Sequence, residues 1–170
     1  MKNRYNLALI PSSESDAVVK YAHFLLDIAD GYLLGEHSLP HVTLYQFQAN
    51  ESDIESIWEK AYSELNQTSI ELAFEKFSCI TFDRTVFWVS LLPDNDDVLM
   101  KMHSIVANVI KQPVKPSYDP HMTLINTKDS SYENLVNKLA KIYTPIKDTF
   151  VLALGRSDDI GQLIEIIYFC

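Results

Sequence analysis

Long apolar runs are missing from this 170-residue sequence, and none approaches the ~20 consecutive residues that a membrane-spanning helix needs. The polar opening MKNRYN lacks the pattern of a secretory signal peptide. Cysteine is scarce: Cys79 and Cys170 are too few for a disulfide framework, so a reducing cytoplasm is the expected setting. Positive charge is short as well, with 14 Lys and Arg against 23 Asp and Glu and a formal net charge of −9. A long footprint on nucleic acid neutralises several phosphates with Lys and Arg, so none is expected. A small or terminal phosphate stays open, because a local pocket need not follow the global charge. Low-complexity stretches and linkers are absent too. The 47% hydrophobic and 22% charged fractions are ordinary for a globular protein, and one domain over residues 1–170 is expected.

What is present is a repeated order of elements. Residues 5–10, YNLALI, read as a short strand ending at Pro11. Ala17, Val18, Tyr21, Leu25 and Ile28 have helical spacing over 14–29, with Ser12, Ser13 and Ser15 as N-cap candidates and Gly31 as a stop. A strand PHVTLYQF follows, then a helix over 51–65 whose stripe is Ile54, Ile57, Trp58, Ala61 and Leu65. Residues 70–92 read as two strands turning near 82–85. The order then starts again: VSLLP at 89–93 parallels LALIP at 7–11, and a helix follows each. PHMTL at 120–124 parallels PHVTL at 40–44, eighty residues apart, and is followed by a helix over 131–142 and a hairpin over 150–169 turning near 158–161. This internal repeat, roughly 5–82 and 86–169, predicts an α+β fold of two lobes related by an approximate two-fold axis. Each lobe is expected to be an antiparallel sheet with helices on its outer face and a cleft between lobes.

The repeated phrase carries the chemistry. Residues i and i+2 of a strand share a face, so His41 and Thr43 point one way, with Tyr45 and Phe47, while Val42 and Leu44 point the other. His121, Thr123 and Ile125 share a face opposite Met122 and Leu124. Two lobes related by a two-fold axis bring both His/Thr pairs to one cleft. Phosphodiester hydrolysis needs a base to deprotonate water and an acid to protonate the leaving oxygen, and histidine serves as either near neutral pH. A threonine hydroxyl two residues away donates to a phosphate oxygen whose charge grows in the transition state. Two imidazoles carry both protons, so no metal and no cofactor is expected. A zinc site from His41, His121 and Asp119 lacks the closely spaced ligand pair of common zinc motifs.

These residues resemble the 2H phosphoesterases, a family named for two H-x-T/S motifs in a bilobal α+β fold. Within it, the chain is most similar to the 2′-5′ RNA ligase-like, or cyclic phosphodiesterase, branch. The resemblance implies that His41 and His121 are the catalytic pair and that Thr43 and Thr123 bind phosphate. It implies substrates drawn from RNA ends or small nucleotides: 2′,3′-cyclic phosphates, 2′-5′ linkages or ADP-ribose cyclic phosphate. It favours His121 as base and His41 as acid, although the symmetry of the motifs leaves that assignment open. Many proteins of this branch carry a basic residue soon after the second motif; here Ile125-Asn126-Thr127 intervene before Lys128.

Hydrolysis of a nucleoside 2′,3′-cyclic phosphate or a related small-nucleotide or RNA-end phosphodiester is therefore expected, by a monomer that meets no membrane. The alternatives are a 2′-5′ oligoadenylate phosphodiesterase and a nucleotide or RNA-end binding module without turnover. Asn6, Ala8, Trp88 and Ser90 are expected on the cleft side of the first strand of each repeat. Trp88, Tyr45, Tyr118 and Asn6 are candidate substrate contacts, with Trp88 a stacking platform for a base. Arg84, Lys115 and Arg156 read as solvated cations within reach of a phosphate or ribose. His37 is expected in an exposed loop, and His23 and His103 at the polar edges of helices. The acidic residues 94–97 and 158–159 are expected to cap a helix and turn a hairpin.

Overall fold

A computed structural model describes residues 1–170. Every expected element is present, and the repeat governs how the strands pair. The first half contributes β1 (Lys2–Pro11), α1 (Ser15–Phe24), β2 (Val42–Asn50), α2 (Ile54–Glu64) and β3 (Ser69–Thr81). The second contributes β4 (Phe87–Pro93), α3 (Asp96–Val109), β5 (Met122–Thr127), α4 (Tyr132–Ile142), β6 (Ile146–Ser157) and β7 (Leu163–Phe169). The fold is α+β.

The strands form a seven-stranded sheet in the order β2-β1-β6-β3-β4-β5, with β7 also on β6, and every pairing is antiparallel. Exchanging β1, β2 and β3 for β4, β5 and β6 returns the same order read backwards. The third strand of each repeat therefore joins the first two strands of the other. The two expected sheets are halves of one, joined where Ser69–Phe74 of β3 pairs with Ile146–Val151 of β6. No helix is long and apolar enough to cross a membrane.

The core explains why these segments fold this way. Tyr5, Leu7 and Leu9 of β1 and Val89 and Leu91 of β4 are fully buried in one cluster with Val18 and Ala22 of α1 and Leu99 and Val106 of α3. Burying a side chain of this size contributes roughly 1.5–3 kcal/mol relative to exposure, which outweighs the weak propensity of the short helices. The serines expected to cap α1 act differently. Ser12 Oγ, Ser13 N and Oγ, and Glu14 N all donate to the carboxylate of Asp148 on β6, at 2.8–3.1 Å. A strand of the second repeat thus holds the turn that leads into a helix of the first. At the other predicted turns, Asp96 and Asp97 lie in the first turn of α3, and Asp158 accepts the backbone N–H groups of Ile160 and Gln162.

Both motif strands carry a bulge at the same place. On β2, Leu7 pairs with Tyr45 but Ala8 with Thr43, so Leu44 is the extra residue. On β5, Val89 pairs with Ile125 but Ser90 with Thr123, so Leu124 is extra. A bulge reverses the alternation beyond it. This corrects the expected faces: Tyr45, Phe47 and Ile125 leave the His/Thr face, and Gln46 and Asn126 take their places opposite Asn6 and Trp88.

Each bulge frees a carbonyl from the ladder, and each is satisfied from elsewhere. Leu124 O accepts Leu34 N–H at 2.9 Å, from the segment that precedes the first motif. Leu44 O accepts from the Nδ1 of His103 on α3 at 2.7 Å. The segments leading into the motifs thereby run along the opposite motif strand: Asp30 and Tyr32 bond to Asn126 backbone, while Tyr45 Oη donates to Pro113 O at 2.9 Å.

Candidate active site

The geometry of each histidine is set by its own motif. His41 Nδ1 lies 2.7 Å from Leu39 O, and His121 Nδ1 lies 2.7 Å from Asp119 O. A carbonyl only accepts, so Nδ1 carries the proton in both rings and the lone pair of the neutral ring sits on Nε2. The partner in each case is the carbonyl two residues back, across the proline. Pro40 and Pro120 favour extended backbone on the residue before them, which carries that carbonyl. Both histidines line one cavity of about 440 Å³ together with Thr43, Thr123, Gln46 and Trp88. That is within the range of small-molecule sites, about 300–1,000 Å³.

The pseudo-symmetry stops at burial. His41 is 4% exposed, whereas His121 is half-buried. Burial lowers the pKa of His41 to about 4, and the neighbouring charge of His121 adds to this; backbone hydrogen bonds with Leu39 and Gly161 oppose it. Burial thus favours the neutral form of His41 at pH 7.

The threonines are held by neighbouring strands. Asn6 Nδ2 donates to Thr43 Oγ1 at 2.9 Å, and Ser90 Oγ donates to Thr123 Oγ1 at 3.5 Å. With an acceptor site of each oxygen taken, each hydroxyl keeps its proton to donate. Gly161, with φ +92°, closes the wall beside Gln46: a Cβ there would lie 2.9 Å from Gln46 Nε2.

Beside this cavity lies a second, also about 440 Å³, lined by Leu44, Tyr45, His103, Ser117, Tyr118 and Asp119 and by residues common to both. Tyr45, His103 and Tyr118 stack as three near-parallel rings, with centroids 5.2 and 4.2 Å apart. Tyr118 Oη donates to Thr43 O at 2.8 Å; burial raises its pKa, with Asp119 and Asp96 adding to the shift, so the phenol keeps its proton. His103 corrects the expectation of a polar helix edge. It is fully buried, and its Nε2 accepts Lys115 N–H at 3.0 Å. One ring thus ties the bulge of the first motif strand to the segment leading into the second.

Of the other candidates, Asn6 is buried behind Thr43. Trp88 lines the histidine cavity and meets Tyr32 edge-on at 5.8 Å. Tyr45 and Tyr118 line the adjoining one. Lys115 lines both. Arg84 sits exposed in the β3–β4 turn, and Arg156 is paired with Glu51 at 3.0 Å. Lys128 is paired with Asp30 at 3.2 Å. His23 and His37 are exposed. No three His, Cys, Asp or Glu side chains are grouped to hold a metal ion.

Gln46, Asn126, Tyr32, Ile80 and Phe82 were not among the candidates. Gln46, Tyr32, Ile80 and Phe82 line the histidine cavity, and Asn126 Oδ1 accepts Tyr32 N–H at 2.8 Å. A signal for two of them was available: an amide side chain stands five residues after each motif histidine, off the parity of an unbroken strand.

Two imidazoles able to exchange protons and two hydroxyls able to donate hydrogen bonds line one cavity. The sequence agrees: the 2′-5′ RNA ligase superfamily matches residues 27–150, and the chain belongs to that superfamily of 2H phosphoesterases. The fold is similar to that of Escherichia coli LigT complexed with 3′-AMP, with a TM-score of 0.62 and 13% identity over 100% of this chain and 98% of that one. Apo E. coli LigT gives a TM-score of 0.63 and 12% identity over 99% and 96%. Kluyveromyces marxianus Usb1 with uridine monophosphate gives 0.52 and 16% over 91% and 94%. No curated protein matches the chain in sequence.

Proposed function

We propose that this chain is a metal-independent phosphodiesterase that hydrolyses a nucleoside 2′,3′-cyclic phosphate or a related small-nucleotide or RNA-end phosphodiester. The observation that carries the reading is the shared anchoring of both histidines, which leaves two Nε2 atoms and two threonine hydroxyls to one cavity. Structures of the same fold contain 3′-AMP and uridine monophosphate, which supports a nucleotide in this cleft.

The buried, neutral His41 takes the base role in this reading, opposite to the assignment the resemblance favours. Its Nε2 removes a proton from water as the water oxygen attacks phosphorus. The bond from phosphorus to a ribose oxygen breaks, and His121 Nε2–H protonates that oxygen. Thr43 and Thr123 donate to the non-bridging oxygens, where negative charge gathers. Tyr118 and His103 hold the backbone of residues 43–44 in place.

The test is turnover of nucleoside 2′,3′-cyclic monophosphates, a cyclic-phosphate-ended RNA and 2′-5′ oligoadenylate, each with EDTA present. Chelator-resistant opening of a cyclic phosphate is expected. Binding without turnover of any substrate would make the chain a binding module, and loss of all activity in EDTA would overturn the two-histidine mechanism.

A further inference from the structure

The two adjoining cavities share a wall formed by Thr43, Gln46, Ile80, Phe82, Lys115 and His121. Lys115 is the one Lys or Arg lining either cavity, and it is held at that wall: its N–H donates to His103 and its Nζ lies 4.6 Å from the centre of the Tyr45 ring. Phe82, 86% exposed, offers an open aromatic face to both cavities. Beyond the cavity lined by Tyr45 and Tyr118 the surface is acidic. Asp119 lines that cavity and also belongs to the next groove, where it stands with Glu75, Asp94 and Asp96 against a single Lys76.

From this order of chambers and charge we infer a length limit on the substrate: the cavity lined by Tyr45 and Tyr118 takes the second nucleoside of a two-nucleoside phosphodiester, and the acidic groove beyond it rejects the phosphate of a third nucleotide. The inference rests on the phosphodiesterase reading of the histidine cavity. A base stacks on Phe82 in a manner indifferent to its identity, because every base has a π-face. Lys115 neutralises the phosphate at the shared wall. A third nucleotide would carry its phosphate into a groove holding four carboxylates and one ammonium group, where like charges repel.

Binding measures this without turnover. The probes are 3′-phosphorylated oligoribonucleotides of one to four nucleotides, titrated into the wild-type chain by calorimetry. Affinity should rise about tenfold from one nucleotide to two, the order of one stacked base, and fall several-fold from two to four. The tetramer should bind more weakly as salt is lowered, opposite to the usual trend for a protein that neutralises phosphates. Glu75→Gln combined with Asp96→Asn, both exposed in the parent chain, should restore tetramer affinity towards that of the dimer. Phe82→Ala, at a side chain 86% exposed in the parent chain, should shrink the dimer-to-monomer ratio towards one. Affinity that climbs steadily through four nucleotides, or is equal at every length, overturns the length limit. Cyclic mononucleotide turnover alongside that result leaves the phosphodiesterase reading standing. An optimum at two nucleotides with no turnover of any substrate overturns the reaction and keeps the limit, and absence of binding at every length overturns both.

Discussion

His121→Ala should lower kcat on a nucleoside 2′,3′-cyclic phosphate by about 10²–10⁴-fold, the span of one general acid or base, with little change in KM. The half-buried ring can be removed without opening a large core cavity. His41→Ala should lose as much. His41 is buried, so His41→Asn serves as the second variant, and circular dichroism confirms that each stays folded. The two losses separate on a p-nitrophenyl phosphodiester, whose leaving group departs without a proton. On that substrate the His121 variant should recover most of its activity, because the proposed mechanism uses His121 to protonate the leaving oxygen. The His41 variants should not recover, because water still needs a base. Recovery in the His41 variants instead would reverse the two roles, and wild-type activity in either variant would refute the paired mechanism.

Thr43→Val and Thr123→Val should each lower kcat by about 10²–10³-fold, the cost of losing one donor to a developing oxyanion. The side chain keeps its shape and loses its hydroxyl, so KM should move little. Thr43→Val also deprives the buried Asn6 Nδ2 of its acceptor, at a cost of about 1–3 kcal/mol in stability. Thr43→Ser and Thr123→Ser keep the donor and should restore most of the rate, which distinguishes lost chemistry from lost packing. Steady-state kinetics on all four variants reads the difference, and a Val variant with wild-type kcat would remove that threonine from the mechanism.

Much of this was legible in the sequence because repetition is visible in one dimension. The spacing of Pro40-His41 and Pro120-His121 within a repeated strand and helix order located both motifs. Alternation correctly put Asn6 with Thr43 and Trp88 in the cleft. Alternation failed beyond Leu44 and Leu124, because a bulge is a decision of the paired strand and depends on which carbonyl finds a donor elsewhere. For Leu44 that donor is His103, fifty-nine positions away, so helical periodicity alone placed His103 at a polar edge. The exchange of β3 and β6 between halves was equally hidden, since hairpin signals report local pairing and the β3–β6 ladder joins segments far apart in the chain.

In the proposed mechanism a buried, neutral histidine removes the proton from water. The pH dependence of kcat/KM for cyclic phosphate opening tests it directly, since this ratio reports groups of the free enzyme. Protonation of His41 abolishes its lone pair, so the acid limb should have its midpoint near pH 4, where burial places that ring. A midpoint near the ordinary histidine value of about 6.5 would assign the base to a solvated group and contradict the account.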